Sequence, residues 1–271
     1  MLRNLLAHPL TRGMNIDDPQ TTSLRRRIIA GKEFLRRIYI QWYQRVAKAI
    51  PPGDGAVLEL GSGAGFLEQY IPGLITSEVF LCDGVDTVLD ATQLPFADGS
   101  LRAIVMTDVL HHIPDVRRLF SEAGRCVRSG GVIAMIEPWV TPWSRLVYQR
   151  HHEPFNTEQS GWEIPATGPL SAANSALPWI LFARDYQEFH RQFPEWQLKL
   201  IEPMMPFCYL VSGGVSMRSL MPGWSFPVWS AAENLLSPWM NTWAMFACIV
   251  LERVADQAPV AAVEFDKISH D

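Results

Sequence analysis

The stretch that most constrains this chain is VLELGSGAGFLEQY, residues 57–70. An apolar run ends at Glu59, and Gly61, Ser62, Gly63, Ala64 and Gly65 then carry the backbone through a tight turn. The pattern predicts a strand that enters a helix near Phe66 through glycines, which is how a nucleotide pocket is built. Glycine tolerates backbone angles that a side chain forbids, and it lets a ligand lie against the main chain. The N-terminus of the following helix would leave amide donors without intrahelical partners.

Spacing narrows the ligand. A dinucleotide fold uses G-x-G-x-x-G, whose third glycine allows close helix-to-strand packing beside a pyrophosphate. Here that third position holds Phe66, and the sequence reads E-x-G-x-G-x-G with Glu59 ahead of the first glycine. A carboxylate suits an ammonium group and repels a pyrophosphate, so an NAD-linked oxidoreductase is the disfavoured alternative. The stretch resembles motif I of the class I S-adenosylmethionine-dependent methyltransferases. That resemblance implies an α/β fold with a Rossmann-like, doubly wound, seven-stranded sheet interrupted by helical or irregular insertions. It also implies that Glu59, Gly61, Ser62, Gly63 and Gly65 bind S-adenosyl-L-methionine, the glycines beside the ribose and Glu59 toward the cationic methionine end.

The segments that follow agree with the motif. SEVFLCD, residues 77–83, reads as a second strand ending in Asp83. A carboxylate about 20 residues past the loop can accept two hydrogen bonds from a ribose diol, with Asp86 as the alternative to Asp83. VDTVLDATQLPFADGSL resembles the third-strand region of the methyltransferase type 11 group, in which Asp90 would approach the adenine amino group with Ala91 beside it. Only six residues separate Asp83 from Asp90, too few for a helical crossover between parallel strands, so short or irregular second and third strands are expected.

A second block with the same resemblance starts at LRAIVM, a fourth strand over residues 101–106, and continues as TDVLHHIPDVRRLFSEAGRCVRSGG. Thr107 and Asp108 stand at the carboxyl end of a central strand, where open α/β sheets bind ligands. The resemblance implies that they contact the methionine portion of the cofactor. His111 and His112 are general-base candidates because imidazole titrates near neutral pH. Packing near the cofactor without moving a proton is the alternative for both. A helix over 116–127 and a buried fifth strand over 131–136 follow, leading to Glu137 as a base or acceptor-binding group over the pocket.

Around this core, residues 1–50 read as an N-terminal helical lid. A loose lead-in ends near residue 22, and one long helix capped by Ser23 places Ile28, Leu35, Ile38, Trp42 and Val46 on one face. Arg25, Arg26, Arg27, Arg36 and Arg37 form a basic face, either plainly solvated or attracted to an acidic acceptor or an anionic membrane surface. By resemblance Tyr39, Trp42 and Tyr43 are lid candidates. The cofactor-binding half spans 51–140, an acceptor-site insertion spans 141–182, and the C-terminal half spans 183–254 with a second insertion at 204–240. The helix RDYQEFHRQF, the strand WQLKLIEP and a last strand over 243–254 would complete the sheet as an antiparallel hairpin, followed by a tail over 255–271.

Insertions beyond the carboxyl ends of strands are where specificity resides. The first contains His151, His152 and Glu153 as reserve bases, but neighbouring residues on a helix diverge, so no metal is expected. Trp224, Trp229, Trp239 and Trp243 in and beside the second could line an apolar pocket, stack on sugars, meet a membrane interface or fill a core.

The net charge of -5 argues against a nucleic-acid partner. Four scattered cysteines suggest neither a disulfide framework nor a zinc site and fit a reducing cytoplasm. The opening MLRNLLAHPLTRG has no signal-peptide pattern, and no run reaches the roughly 18 apolar residues of a membrane span. The insertions and N-terminal helix weakly resemble bacterial predicted methyltransferases associated with saccharide or glycolipid assembly. The reading is methyl transfer from S-adenosylmethionine to oxygen, with nitrogen or carbon as alternatives, on a small-molecule or saccharide- or glycolipid-linked acceptor. A non-catalytic cofactor-binding or membrane-associated scaffold is the remaining alternative.

Overall fold

The computed structural model describes residues 7–11, 14–150, 154–165, 168 and 170–255. His151, His152, Glu153 and the tail beyond Ala255 lie outside the described residues. A seven-stranded sheet forms the centre, in the order β3-β2-β1-β4-β5-β7-β6. Its strands are β1 (Ala56–Leu60), β2 (Leu74–Glu78), β3 (Thr87–Val88), β4 (Leu101–Thr107), β5 (Val127–Pro138), β6 (Trp196–Met204) and β7 (Phe246–Arg253). β1 to β5 are parallel, while β7 runs antiparallel between β5 and β6. The expected doubly wound α/β fold with a terminal antiparallel hairpin is therefore present.

Strand alternation divides the core in two, because successive side chains point to opposite faces. Leu58, Ile104, Met106, Ile133, Met135 and Ile249 face α3 (Val116–Cys126) and the first insertion. Val57, Ala103, Val105, Ala134, Ile136 and Cys248 face the N-terminal helices. Helix α3 is started by Asp115, whose side chain accepts from Arg118 N (3.1 Å). It buries Leu119, Phe120 and Ala123 as its spacing predicts.

Three local expectations are corrected. The N-terminal segment is two helices, α1 (Pro19–Gly31) and α2 (Glu33–Ala49), broken at Lys32 with φ -103° and ψ 91°. Its cap is Asp18, which accepts from Gln20 N (2.9 Å), with Pro19 pre-set for the first turn; Ser23 lies inside the helix. No α-helix follows the glycine loop, only a single 3-10 turn at Leu67–Gln69. The chain then reaches β2 through Pro72 and Gly73, so the second strand occupies 74–78 rather than 77–83. Glu78, not Asp83, stands at its carboxyl end.

The missing crossover helix leaves that part of the sheet to be covered from elsewhere. Helix α2 does this, burying Leu35, Ile38, Trp42, Tyr43 and Val46 against Val57, Leu67, Ile71 and Leu74 in one cluster. The shortness expected of β3 is observed: two residues, held by Asp86, whose Oδ2 accepts from Thr76 N (2.9 Å) and Oγ1 (2.8 Å).

In the first insertion, buried Asn174 acts as a hub. Its Oδ1 accepts from Asn156 N (3.0 Å) and Ala176 N (3.0 Å), its Nδ2 donates to Asn156 O (3.0 Å) and Gln159 Oε1 (2.9 Å), and its backbone N–H donates to His111 O (2.9 Å). Asn174→Ala should leave two backbone N–H groups short of an acceptor and cost about 2 kcal/mol. A melting temperature lowered by roughly 2–4 °C, read by circular dichroism, is the expected result.

Candidate functional site

A cavity of about 590 Å³ opens over the carboxyl ends of β1, β2 and β4. Its floor is Leu60, Gly61 and Ala64 from the glycine loop, Ser77 and Glu78 from β2, Asp90 and Ala91 past β3, and Thr107, Asp108 and Val109 past β4. His112, Pro138 and Phe246 continue it, and Thr22, Arg25 and Tyr39 close it from α1 and α2. Gly168, Leu170 and Ala172 from the first insertion and Tyr209 to Met217 from the second form the rest of the roof. Of the aromatic lid candidates, only Tyr39 lines the cavity. Trp42 and Tyr43 are buried in the core, Trp42 against Phe246 (4.9 Å between ring centroids).

The glycine loop is cinched to the end of β2. Ser62 N donates to Ser77 O (2.8 Å), Ser77 N to Ser62 Oγ (3.1 Å), and Ser77 Oγ to Glu59 O (2.6 Å). Gly63 N donates to Glu78 Oε2 (3.0 Å), Gly65 N to Ser62 O (2.7 Å), and Phe66 N to Tyr43 Oη (3.3 Å). The amides of Ser62, Gly63, Gly65 and Phe66 are thus spent within the protein. Gly61 has φ +69°, and a Cβ there would come 2.5 Å from Val109 Cγ2. At Gly63 a Cβ would meet Glu78 Oε2 at 2.6 Å. These glycines keep the loop thin between β2, α1 and the β4 loop.

The acidic candidates separate. Asp90 and Asp108 line the cavity, and Asp90 Oδ1 closes a turn by accepting from Thr92 N (2.8 Å) and Oγ1 (2.7 Å). The turn is braced by Arg125 of α3, which donates to the backbone oxygens of Phe96 (2.7 Å) and Leu94 (2.9 Å) while paired with Glu122 and Asp98. Asp83 is exposed and does not line the cavity; it lies in the loop past β2, where Arg26 donates to its backbone oxygen (3.2 Å). The place foreseen for Asp83 is taken by Glu78, whose carboxyl is pushed up by burial and pulled partly back by the Gly63 and Val79 amides. The turn Pro72-Gly73 directly before LIT was the signal in the sequence for the earlier strand.

Glu59 does not line the cavity. It is 2% exposed beneath the loop, its Oε2 has no hydrogen-bond partner, and burial pushes its carboxyl up to about 8. Ser62, Gly63 and Gly65 likewise sit behind the cavity wall, while Thr107 Oγ1 is buried at it without a partner.

The histidines have different environments. His111 and Glu137 are both fully buried, and His111 Nδ1 donates to Glu137 Oε2 (2.7 Å). Glu137 Oε1 accepts from Val109 N (2.9 Å) and Leu110 N (2.7 Å). Glu137 was expected over the pocket as a base, and His111 as a second one. Neither reaches the cavity, because the pair is consumed in holding the loop between β4 and α3. His112 does line it. Its Nδ1 donates to Ala172 O (3.0 Å), which leaves Nε2 as the acceptor of a neutral ring. Burial first, then the adjacent His111, pulls its pKa down to about 3.

Residues 58–135, which hold the loop, both aspartates and the histidine pair, match the methyltransferase type 11 family, described as a methyltransferase domain. That segment therefore matches a methyltransferase domain. It is 28% identical over 163 residues to the ubiquinone/menaquinone biosynthesis C-methyltransferase of Desulfotalea psychrophila, covering 54% of this chain and 63% of that one. Over 110 residues it is 33% identical to the demethylmenaquinone methyltransferase of Roseiflexus castenholzii, covering 34% and 46%. The chain therefore spans less than two thirds of the length of these relatives. Among solved structures, one chain of a complex containing the Haloferax volcanii Trm112 methyltransferase activator overlays with a TM-score of 0.51 at 12% identity, over 90% of this chain and all of that one, a likeness of fold alone. The methyltransferase domain ends within β5, so both insertions and the terminal hairpin lie beyond the matched segment.

Two outcomes follow from the buried carboxylates Glu137 and Glu59. Removing one partner of a buried, hydrogen-bonded pair strands the other, so Glu137→Ala should cost about 3–5 kcal/mol in urea unfolding. Glu59 gives a pH signature. Its folded pKa lies above the ordinary 4.5, so the folded state keeps a proton that the unfolded state loses. Stability is then full below about pH 4.5 and falls, by at most about 1.4 kcal/mol per unit, until pH 8. In Glu59→Gln that loss should vanish, and the variant's melting temperature relative to wild type should rise steadily from pH 5 to pH 8.

Proposed function

We propose that the domain transfers a methyl group from S-adenosylmethionine to a small, largely apolar acceptor bound in the same cavity. The observation that carries this reading is the meeting of Gly61, Glu78, Asp90, Thr107 and Asp108 at the carboxyl ends of β1 to β4. The cofactor supplies a methyl group already activated on a cationic sulfur. The donor set fits it: Glu78, Asp90 and Asp108 are the carboxylates among the lining residues, against Arg25 as their one permanent cation. Such a cavity favours a cationic ligand over a pyrophosphate. The unpartnered Thr107 hydroxyl adds an acceptor at the cavity wall. The loop amides of Ser62, Gly63, Gly65 and Phe66, already bonded, have nothing to offer the phosphates of NAD. Glu78 replaces Asp83 as the group for the ribose hydroxyls, and Asp90 keeps the adenine end.

The roof away from these residues is made of Ile113, Tyr148, Leu170, Ala172, Leu210 and Val215, which suits an apolar acceptor better than a saccharide. An ordinary alcohol would need a strong base to lose its proton. His112, neutral and far below the useful range, can accept a hydrogen bond from a hydroxyl and orient it, but is a poor proton acceptor. An acceptor that is acidic in its own right, as a phenolic or enolic hydroxyl is, asks least of His112, with oxygen as the methylated atom. Carbon methylation beside such a hydroxyl is the second reading. The same weakness of His112 favours it, and one relative is named as a C-methyltransferase.

Calorimetric titration with S-adenosylhomocysteine tests the cofactor assignment. Wild type should bind, Glu78→Ala should bind roughly 10- to 100-fold more weakly through loss of charge-assisted hydrogen bonds, and Asp83→Ala should match wild type. No binding by wild type, or a loss at Asp83 instead, would overturn it.

A further inference from the structure

The face built by residues 219–243 is not used by the cavity, and it differs from the rest of the surface. Helix α4 (Phe226–Leu235) carries Phe226 and Trp229 inward against the core. Its opposite side presents Val228, Ala231, Ala232 and Leu235, all exposed, at helical spacing. The period extends past both helix ends to Trp224, 74% exposed, and Trp239, 57% exposed. Leu235 is itself 77% exposed. A helix apolar on both sides is ordinarily buried on both. Across the whole segment the one ionisable residue is Glu233, and it is buried, accepting from Phe207 N and Cys208 N (2.7 Å each). The exposed polar groups are therefore uncharged: Asn234, Ser237, Asn241 and Thr242 among them.

We propose that this face seats on the surface of a lipid bilayer containing anionic lipids. Indole rings have an apolar body and one N–H donor, which places them at the level of the headgroups. Aliphatic side chains between them enter the acyl boundary, as on helices that lie in the interface plane. Uncharged amides and hydroxyls can meet headgroups and glycerol without a desolvated charge. Arg218 stands just before the patch, exposed, and Arg37, which is paired with Glu33 (2.6 Å), borders with Ile40 and Gln41 of α2 the shallow groove along Pro227, Ser230 and Asn234. The exposed Arg218 complements anionic headgroups although the chain as a whole is acidic. No helix among the described residues is long and apolar enough to cross a membrane, so the contact lies on the surface. It is also continuous with the site, since the segment Tyr209 to Met217 that roofs the cavity leads directly into the patch.

Co-sedimentation of the full chain with phosphatidylcholine vesicles, with and without phosphatidylglycerol, tests this. Wild type should sediment with both and more completely with the anionic mixture. Val228→Asp combined with Leu235→Asp, and separately Trp224→Ser with Trp239→Ser, should lower the partition coefficient by at least about tenfold. Binding of S-adenosylhomocysteine should be unchanged in both variants, showing that they fold and separating this result from the fate of the proposed methyl transfer. Wild type that stays in the supernatant overturns the proposal. So does a wild-type dimer in analytical ultracentrifugation that the same variants dissociate, because the face would then belong to a second copy.

Discussion

The carboxylate of Glu137 is the fixed point on which the site depends. It leaves the end of β5, enters a place with no solvent, and accepts from two consecutive backbone amides and an imidazole of the neighbouring β4 loop. An unpaired carboxylate could not stay there, because burial of a charge is tolerated only where hydrogen bonds replace water. The three bonds therefore specify one course for residues 107–112. That course forces Asp108 into a left-handed conformation, φ +64°, uncommon for a non-glycine residue. It also turns His111 inward, so that His112 faces the cavity. Thr107, Asp108 and His112 reach one space because a fully buried acid on the next strand holds the loop between them.

A second constraint ties the parts of the roof to one another. Asp17, ahead of α1, accepts from Leu170 N and Ser171 N (2.8 Å each), joining the N-terminal segment to the first insertion. Lys32, at the break between α1 and α2, donates to Gly214 O (2.6 Å) and Met217 O (2.9 Å), joining it to the second. Burial pulls the Lys32 ammonium down to about 8, so its charge is retained at neutral pH by a modest margin. Those carbonyls lie in the turn opened by Gly213 and Gly214, both at positive φ. Three segments far apart in sequence thus close one chamber through a few polar contacts. The non-helical backbone of Lys32 is what lets α1 cap the cavity while α2 packs on the sheet.

Much of the sheet and the centre of the site could be read from the residues. E-x-G-x-G-x-G, the D-A-x-x-L-P-F block and the T-D-V-L-H-H block are local patterns, each spanning one strand end and its turn. Local patterns survive translation into three dimensions, which is why Asp90, Ala91, Thr107, Asp108 and His112 line one cavity. What failed depended on partners distant in sequence. The helix expected after Phe66 is absent because α2 already covers Leu67, Ile71 and Leu74, and no periodicity within residues 66–73 could reveal that. Glu78 was missed because moving β2 three residues earlier changes which acid ends the strand, and both 74–78 and 77–83 contain β-favouring residues. Glu137 looked like a site residue on topology alone. Its burial is decided by the loop that bonds it, and the sequence carries no mark of that bond.

The loop geometry also bears on why an E-x-G-x-G-x-G turn and a dinucleotide turn are not interchangeable. In the latter, backbone amides at a helix N-terminus are left open for phosphate oxygens. Here the turn is not followed by a helix, and the amides of Ser62, Gly63, Gly65 and Phe66 go to Ser77, Glu78, Ser62 and Tyr43. The loop behaves as a thin wall, with Glu78 lining the cavity at one end and Glu59 buried behind it. Burial raises the carboxyl of each acid, and at Glu78 the Gly63 and Val79 amides pull it partly back. A cationic ligand meets Glu78, Asp90 and Asp108 there, whereas an anionic one meets three carboxylates and the single guanidinium of Arg25. The selectivity of the cavity thus arises from how the protein has already spent its own hydrogen bonds.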